Sequence, residues 1–181
     1  MTAVGVSRRA FAIATGLIMT GFSDAARAAP NDDLGISGGA DTIHQEVVFK
    51  ASPARVYSLL TRARLFDKVV LLSGALEAYK LRATPSKIGA KEGDAFALFG
   101  GYVTGRQIEL TPNTRIIQAW RAGSWAPHIY SIVRFELAAH PDGCKLVFDH
   151  TGFPVEEARS LASGWRTNYW AAMTKALATS S

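Results

Sequence analysis

Between Asp94 and Thr151 the chain carries a succession of short segments in which apolar and polar residues alternate: DAFALF, YVTGRQIEL, TRIIQAWR, IYSIVRFELA and CKLVFDHT. Alternation with a period of two predicts strands with one buried face. Gly100-Gly101, TPN at 111–113 and HPDG at 140–143 separate several of them. Connections this short imply antiparallel neighbours, because a parallel pairing needs a long crossover. An antiparallel sheet must cover one face with something. This requirement limits the chain more than any single motif does.

The cover is predicted at the C-terminus. From near Pro154 to about Ala178, Ala158, Leu161, Ala162, Trp165, Tyr169, Ala172, Met173 and Ala176 recur at three- and four-residue steps. That is the stripe of a helix of about 24 residues, or about 36 Å. Glu156 and Glu157 in its first turn suit the helix dipole. Within the stripe, GWRTNYW at 164–170 concentrates aromatic surface. At α-helical spacing Trp165 and Tyr169 share a face, and Trp170 lies about 100° further round.

Ahead of these segments, IHQEVVFK from Ile43 reads as a strand, with Ile43, Gln45, Val47 and Phe49 on one side. SPARVYSLL opens with Ser52 as N-cap and Pro53 at the first helical position. RARLFDKVVLL continues as a second short helix, ended by Ser73-Gly74. EAYKLRA at 77–83 is a weak strand candidate. The class is α+β: a curved antiparallel sheet of six or seven strands around a long C-terminal helix, with two short helices after the first strand.

The first 28 residues read as a leader. Arg8-Arg9 precede an apolar run from Phe11 to Phe22, and Ala26-Arg27-Ala28 offers a small-x-small site before Ala29. Twelve residues are too few to span a hydrocarbon core of about 30 Å. SRRAF resembles the twin-arginine export signal. Cleavage between Ala28 and Ala29 would leave a periplasmic or secreted chain without a stable membrane span. Residues 29–41 form a polar, glycine-rich lead-in, and the folded domain is expected over 42–178.

Charge and cysteine content exclude several classes. The whole chain carries +5, from 20 basic and 15 acidic residues. Removing Arg8, Arg9 and Arg27 and the single Asp24 leaves 17 basic against 14 acidic, or +3 beyond the leader. The basic residues are scattered, with no stripe suited to nucleic acid. A lone cysteine, Cys144, excludes an internal disulfide. No His and carboxylate spacing suits a metal, and no G-x-S-x-G or phosphate-cradling glycine loop is present, so no cofactor is expected. The sequence is silent on oligomeric state.

Several motifs together resemble one family. They are G-x-Q-x-E-L-x-P-N from Gly105, the W-R of Trp120-Arg121, H-T-G-F-P from His150, and the G-W of Gly164-Trp165. With SPARVYSLLT after the first strand, they resemble the activator of heat-shock-protein-90 ATPase homologue-like domain. That domain belongs to the START/polyketide-cyclase (SRPBCC) superfamily of helix-grip folds. The likeness covers roughly residues 42–178. One departure stands out: RLFDKVVLLSGALEAYK lacks the tryptophans that members often carry there, so a pocket mouth at that place should differ.

The resemblance implies a hollow between sheet and helix. It places Ile116, Gln118 and Trp120 inward, beside Gly105, Gln107 and Glu109, then Ser131, Val133 and Phe135, and Leu146, Phe148 and His150. Trp165 and Tyr169 come from the helix. The expected ligand contacts are therefore Gln107, Gln118, Trp120, Ser131, Phe135, Phe148, His150, Trp165 and Tyr169. The same residues also suit a packed core, in which Gln107 and Gln118 bond to each other. His150 suits a structural role, its imidazole bonded to backbone at the strand–helix junction. The leading expectation is an exported protein that holds a hydrophobic or aromatic small molecule, with binding favoured over catalysis and catalysis left open. A polyketide-cyclase-type enzyme is the first alternative, with His150, Glu109 and Tyr169 as acid–base candidates. A chaperone-related interaction module is the second.

Overall fold

The structure is a computed structural model that describes residues 42–179. The expected leader, 1–28, and the lead-in, 29–41, lie outside the described residues. Seven strands form one antiparallel sheet: β1 (Thr42–Phe49), β2 (Lys87–Ile88), β3 (Ala95–Leu98), β4 (Val103–Thr111), β5 (Arg115–Ala122), β6 (Ser131–His140) and β7 (Gly143–Thr151). Their order is β1-β7-β6-β5-β4-β3-β2. Strands β2 to β6 each pair with their successor, and β1 joins the outer edge of β7 with Phe49 opposite Cys144. At the β6–β7 hairpin, Gly143 adopts φ 134°, and an added Cβ would stand 2.3 Å from the Phe49 carbonyl oxygen. Only glycine satisfies both conditions.

Two short helices link β1 to the rest of the sheet. Ser52 caps α1 (Pro53–Thr61), whose Val56, Leu59 and Leu60 are buried. Helix α2 (Ala63–Ser73) buries Phe66, Val69 and Val70 and ends at Gly74 with φ 70°. The strand expected at EAYKLRA does not form. Helix α3 (Ala75–Ala78) takes its first residues, because Ala, Leu and Glu are strong helix formers. The Tyr79 and Lys80 amides then bond back to Ala75 and Glu77, and Leu81 to Leu76. The chain is thereby turned out of any strand geometry before β2.

The C-terminal helical run spans 155–178. A 3₁₀ turn (Val155–Glu157) leads into α4 (Ala158–Gly164), and α5 (Ala172–Ala178) closes it. Between them Trp165–Ala171 is a π-helix rather than the continuous α-helix expected. Its wider i→i+5 turn lets residues four and five positions on flank the first. Trp165, Tyr169 and Trp170 are all buried, and the wide turn brings Trp170 round toward Trp165. The Trp165 and Trp170 rings lie 5.6 Å apart and nearly parallel. Burying one more tryptophan is worth about 4 kcal/mol, which offsets the poorer backbone geometry of the wide turn. The Trp170 indole also donates to Gln45 on β1, and the Gln45 amide donates to the Ala162 carbonyl at 3.0 Å. The helix is thus pinned to the sheet edge.

Candidate functional site

The middle of the grip is packed solid. Trp165 lies at its centre, with ring centroids 4.1 Å from Tyr169, 4.3 Å from Phe148, 5.7 Å from Trp120 and 5.9 Å from Phe135. Beneath these rings runs a hydrogen-bonded chain. The Trp165 indole donates to His150 Nδ1 at 3.0 Å. That bond leaves the proton of a neutral imidazole on Nε2, which donates to Ser131 Oγ at 2.7 Å. Ser131 in turn donates to the Trp120 carbonyl at 3.0 Å. His150 therefore bonds to side chains, not to backbone as expected. It is fully buried among Trp120, Trp125, Phe148, Phe153 and Trp165, and that burial pulls its pKa down to about 3. Both ring nitrogens are engaged, so His150 is a poor base and has no proton free for an acid step.

The two amides also satisfy each other. Gln118 donates to Gln107 at 3.1 Å across β4 and β5, and Gln107 donates to the Gly89 carbonyl at 3.4 Å. Glu109 corrects the expected inward set. A β-bulge between Gln107 and Glu109 puts Glu109 opposite Ile117 rather than in line with Gln107. The extra residue reverses the side-chain parity. Glu109 ends on the outer face, bonded to Thr111 at 2.7 Å and to the Arg115 Nε at 2.8 Å. Those two partners hold its carboxyl below the usual range. Asp149 also belongs to the outer face. Burial opposes its ionisation, but His44 at 2.7 Å and Arg134 at 2.7 Å outweigh it and lower the pKa.

Open space occurs at one end of the grip. A cavity of about 370 Å³ lies between the C-terminal helix, the end of β5, the β3–β4 turn and the segment from α3 onward. Trp120 and Trp125 form one wall, Phe99 and Val103 another, and Leu161, Gly164, Trp165 and Tyr169 the helical side. Of the expected ligand contacts, Trp120, Trp165 and Tyr169 line it. Gln107, Gln118, Ser131, Phe135, Phe148 and His150 do not, because their own partners occupy the space around them. Ala75, Tyr79 and Leu81 line the cavity from the segment that lacks the tryptophans family members often carry.

Phe99, Tyr102, Leu161, Gly164 and Asn168 were missed at the sequence level. The helical ones repeat at spacings of three and four, which marks a second stripe beside the aromatic one. Gly164 is the informative member. Its backbone is helical, and an added Cβ would meet only Asn168 Nδ2, at 3.9 Å. Burial drives the Tyr169 phenol far above its ordinary range, with the neighbouring Trp120 indole opposing the shift. Tyr169 is therefore a neutral donor at any physiological pH. Among the described residues no three His, Cys, Asp or Glu side chains cluster as a metal site, and no helix is long and apolar enough to cross a membrane.

Comparison with known proteins fits this architecture. The family described as Activator of Hsp90 ATPase homolog 1-like protein matches residues 50–178. The chain is 24% identical over 137 residues to Activator of 90 kDa heat shock protein ATPase homolog 2 of Mus musculus, covering 76% of this chain and 38% of that protein. It is 32% identical over 135 residues to Activator of 90 kDa heat shock protein ATPase homolog of Dictyostelium discoideum, covering 67% and 34%. The chain thus spans about a third of the length of these curated relatives. The crystal structure of an Hsp90 activator from Plasmodium falciparum superposes with a TM-score of 0.60 at 23% identity, over 76% of this chain and 94% of that one. That likeness shows the helix-grip fold.

Proposed function

The chain belongs to the Activator of Hsp90 ATPase homolog 1-like family, and from that premise we propose that it is an exported binding protein for a hydrophobic or aromatic small molecule. The ligand is held at the open end of the grip. One observation carries the reading: a cavity of about 370 Å³ walled mainly by aromatic and aliphatic side chains, beside the packed ring cluster around Trp165. Its size falls within the range of small-molecule sites, and its few polar groups suit orientation rather than chemistry. The acid–base alternative finds little support, since His150 is locked in its hydrogen-bonded chain and Glu109 lies on the outer face.

The test is a thermal-shift screen of uncharged aromatic compounds against the purified protein. Binding at a hundred times Kd adds about 2.7 kcal/mol, so the best compounds are expected to raise Tm by several degrees. A screen with no shift, followed by a crystal structure with side chains filling the cavity, rejects the reading.

The names of the curated relatives favour a second reading, a chaperone-related interaction module. Export through the twin-arginine-like leader would separate the chain from a cytosolic chaperone. Cell fractionation with N-terminal sequencing decides between them. We expect a periplasmic or secreted product that begins at Ala29. A full-length product confined to the cytosol, and captured there with the chaperone, supports the second reading instead.

A further inference from the structure

The four tryptophans divide into two pairs. The indoles of Trp165 and Trp170 each donate to a side-chain acceptor, His150 and Gln45. The buried Trp120 indole has only the Tyr169 hydroxyl oxygen beside it, and the buried Trp125 indole has no acceptor among the described residues. The Tyr169 hydroxyl is in the same position. All three side chains line the one cavity described above, and all are at least nine-tenths buried. Buried donors are almost always paired, so two unpaired donors, on Trp125 and Tyr169, in the wall of a single space call for an acceptor from outside the chain.

The rest of the wall bears on the charge of that acceptor. Its lining includes one carboxylate, Glu157, and no Lys, Arg or His. Other polar groups of the wall bond to one another: Tyr102 with Ser124 at 3.1 Å, and Ser160 with the Glu157 carboxylate at 2.8 Å. An anionic ligand would meet repulsion from Glu157 and gain no cation. An uncharged oxygen gains the unpaired donors without that penalty.

We propose that the cavity selects an uncharged ring compound bearing a hydrogen-bond acceptor, a ketone or quinone oxygen being the simplest form. Trp125 and Tyr169 supply the donors. The inference rests on the reading of this cavity as a ligand site, and it adds the class of ligand.

Three matched probes test it by calorimetry on the purified full chain: 2-ethylnaphthalene, 2-acetylnaphthalene and 2-naphthoate. The acetyl compound is expected to bind about 10-fold tighter than the ethyl compound, the worth of one buried hydrogen bond. The carboxylate is expected to bind more weakly than the acetyl compound. Tyr169→Phe and Trp125→Phe each keep a ring and remove a donor. Each should lower the affinity for the acetyl compound more than that for the ethyl compound, so that the acetyl preference falls. Equal affinity for the ethyl and acetyl compounds, or a preference that survives both substitutions, overturns the acceptor inference while the ligand site stands. Tighter binding of 2-naphthoate overturns the uncharged class. Failure of all three to bind removes the ligand site itself, and the inference with it.

Discussion

Trp165→Ala is expected to destabilise the protein by about 5 kcal/mol, close to the whole stability of many domains. Two losses combine. The indole packs against Tyr169, Phe148, Trp120, Phe135, Trp170 and His150, and truncation leaves a void that those large rings cannot collapse to fill. It also removes the donor to His150 Nδ1, leaving a buried acceptor unpaired. Urea denaturation should show a much lower midpoint, and near-ultraviolet circular dichroism a loss of aromatic signal. Trp165→Phe retains most of the packing and should lose about 2 kcal/mol, chiefly from the orphaned imidazole. A cost below about 1 kcal/mol for Trp165→Ala would contradict the central place of this ring.

Acidification should expose the buried histidine. In the folded protein His150 stays neutral down to about pH 3, whereas in the unfolded chain it titrates near 6.5. Between those values the unfolded chain binds a proton that the native state refuses, so stability falls as pH falls. The contribution is fully present above about pH 6.5 and is lost progressively down to about pH 3. Over the whole window it amounts to about 4 to 5 kcal/mol, and about half of that is lost by pH 5 to 4.5. Below that, protonation of Asp149 adds a separate loss, because His44 and Arg134 hold its pKa low in the folded state. Denaturation of wild type and His150→Gln at pH 7, 5.5 and 4.5 isolates the histidine. The wild type should lose stability across the series more steeply than the variant. Parallel curves would mean that His150 is protonated in the folded state without penalty.

The elements legible in the sequence were those governed by a period or a local cap. Alternation marked β4 to β7, Ser52-Pro53 marked the start of α1, and Ser73-Gly74 marked the end of α2. The failures came where a period breaks. A two-residue parity carried along β4 put Glu109 inside, and one bulged residue put it outside. A helical wheel turned Trp170 away from Trp165, and the π-turn brought it back. EAYKLRA carried no firm pattern, and the local helix-forming preference of Ala75–Ala78 decided its start.

The site was legible only in part, for a different reason. Trp120, Trp165 and Tyr169 could be placed inside by position. Whether space remained beside them depends on summed side-chain volumes in three dimensions. Those volumes fill the grip around Phe135, Phe148 and His150 and leave it open near Gly164, where a glycine replaces a side chain.

That glycine permits the most direct measurement. In Gly164→Phe the new ring enters the open space beside Asn168, and the helix gains a better former than glycine. Titration of 2-acetylnaphthalene into wild type should give saturable heat at one site per chain. The same titration into a Gly164→Phe protein with unchanged or higher Tm should give none. Undiminished affinity in that folded, plugged variant would place the ligand elsewhere and end the case for this cavity.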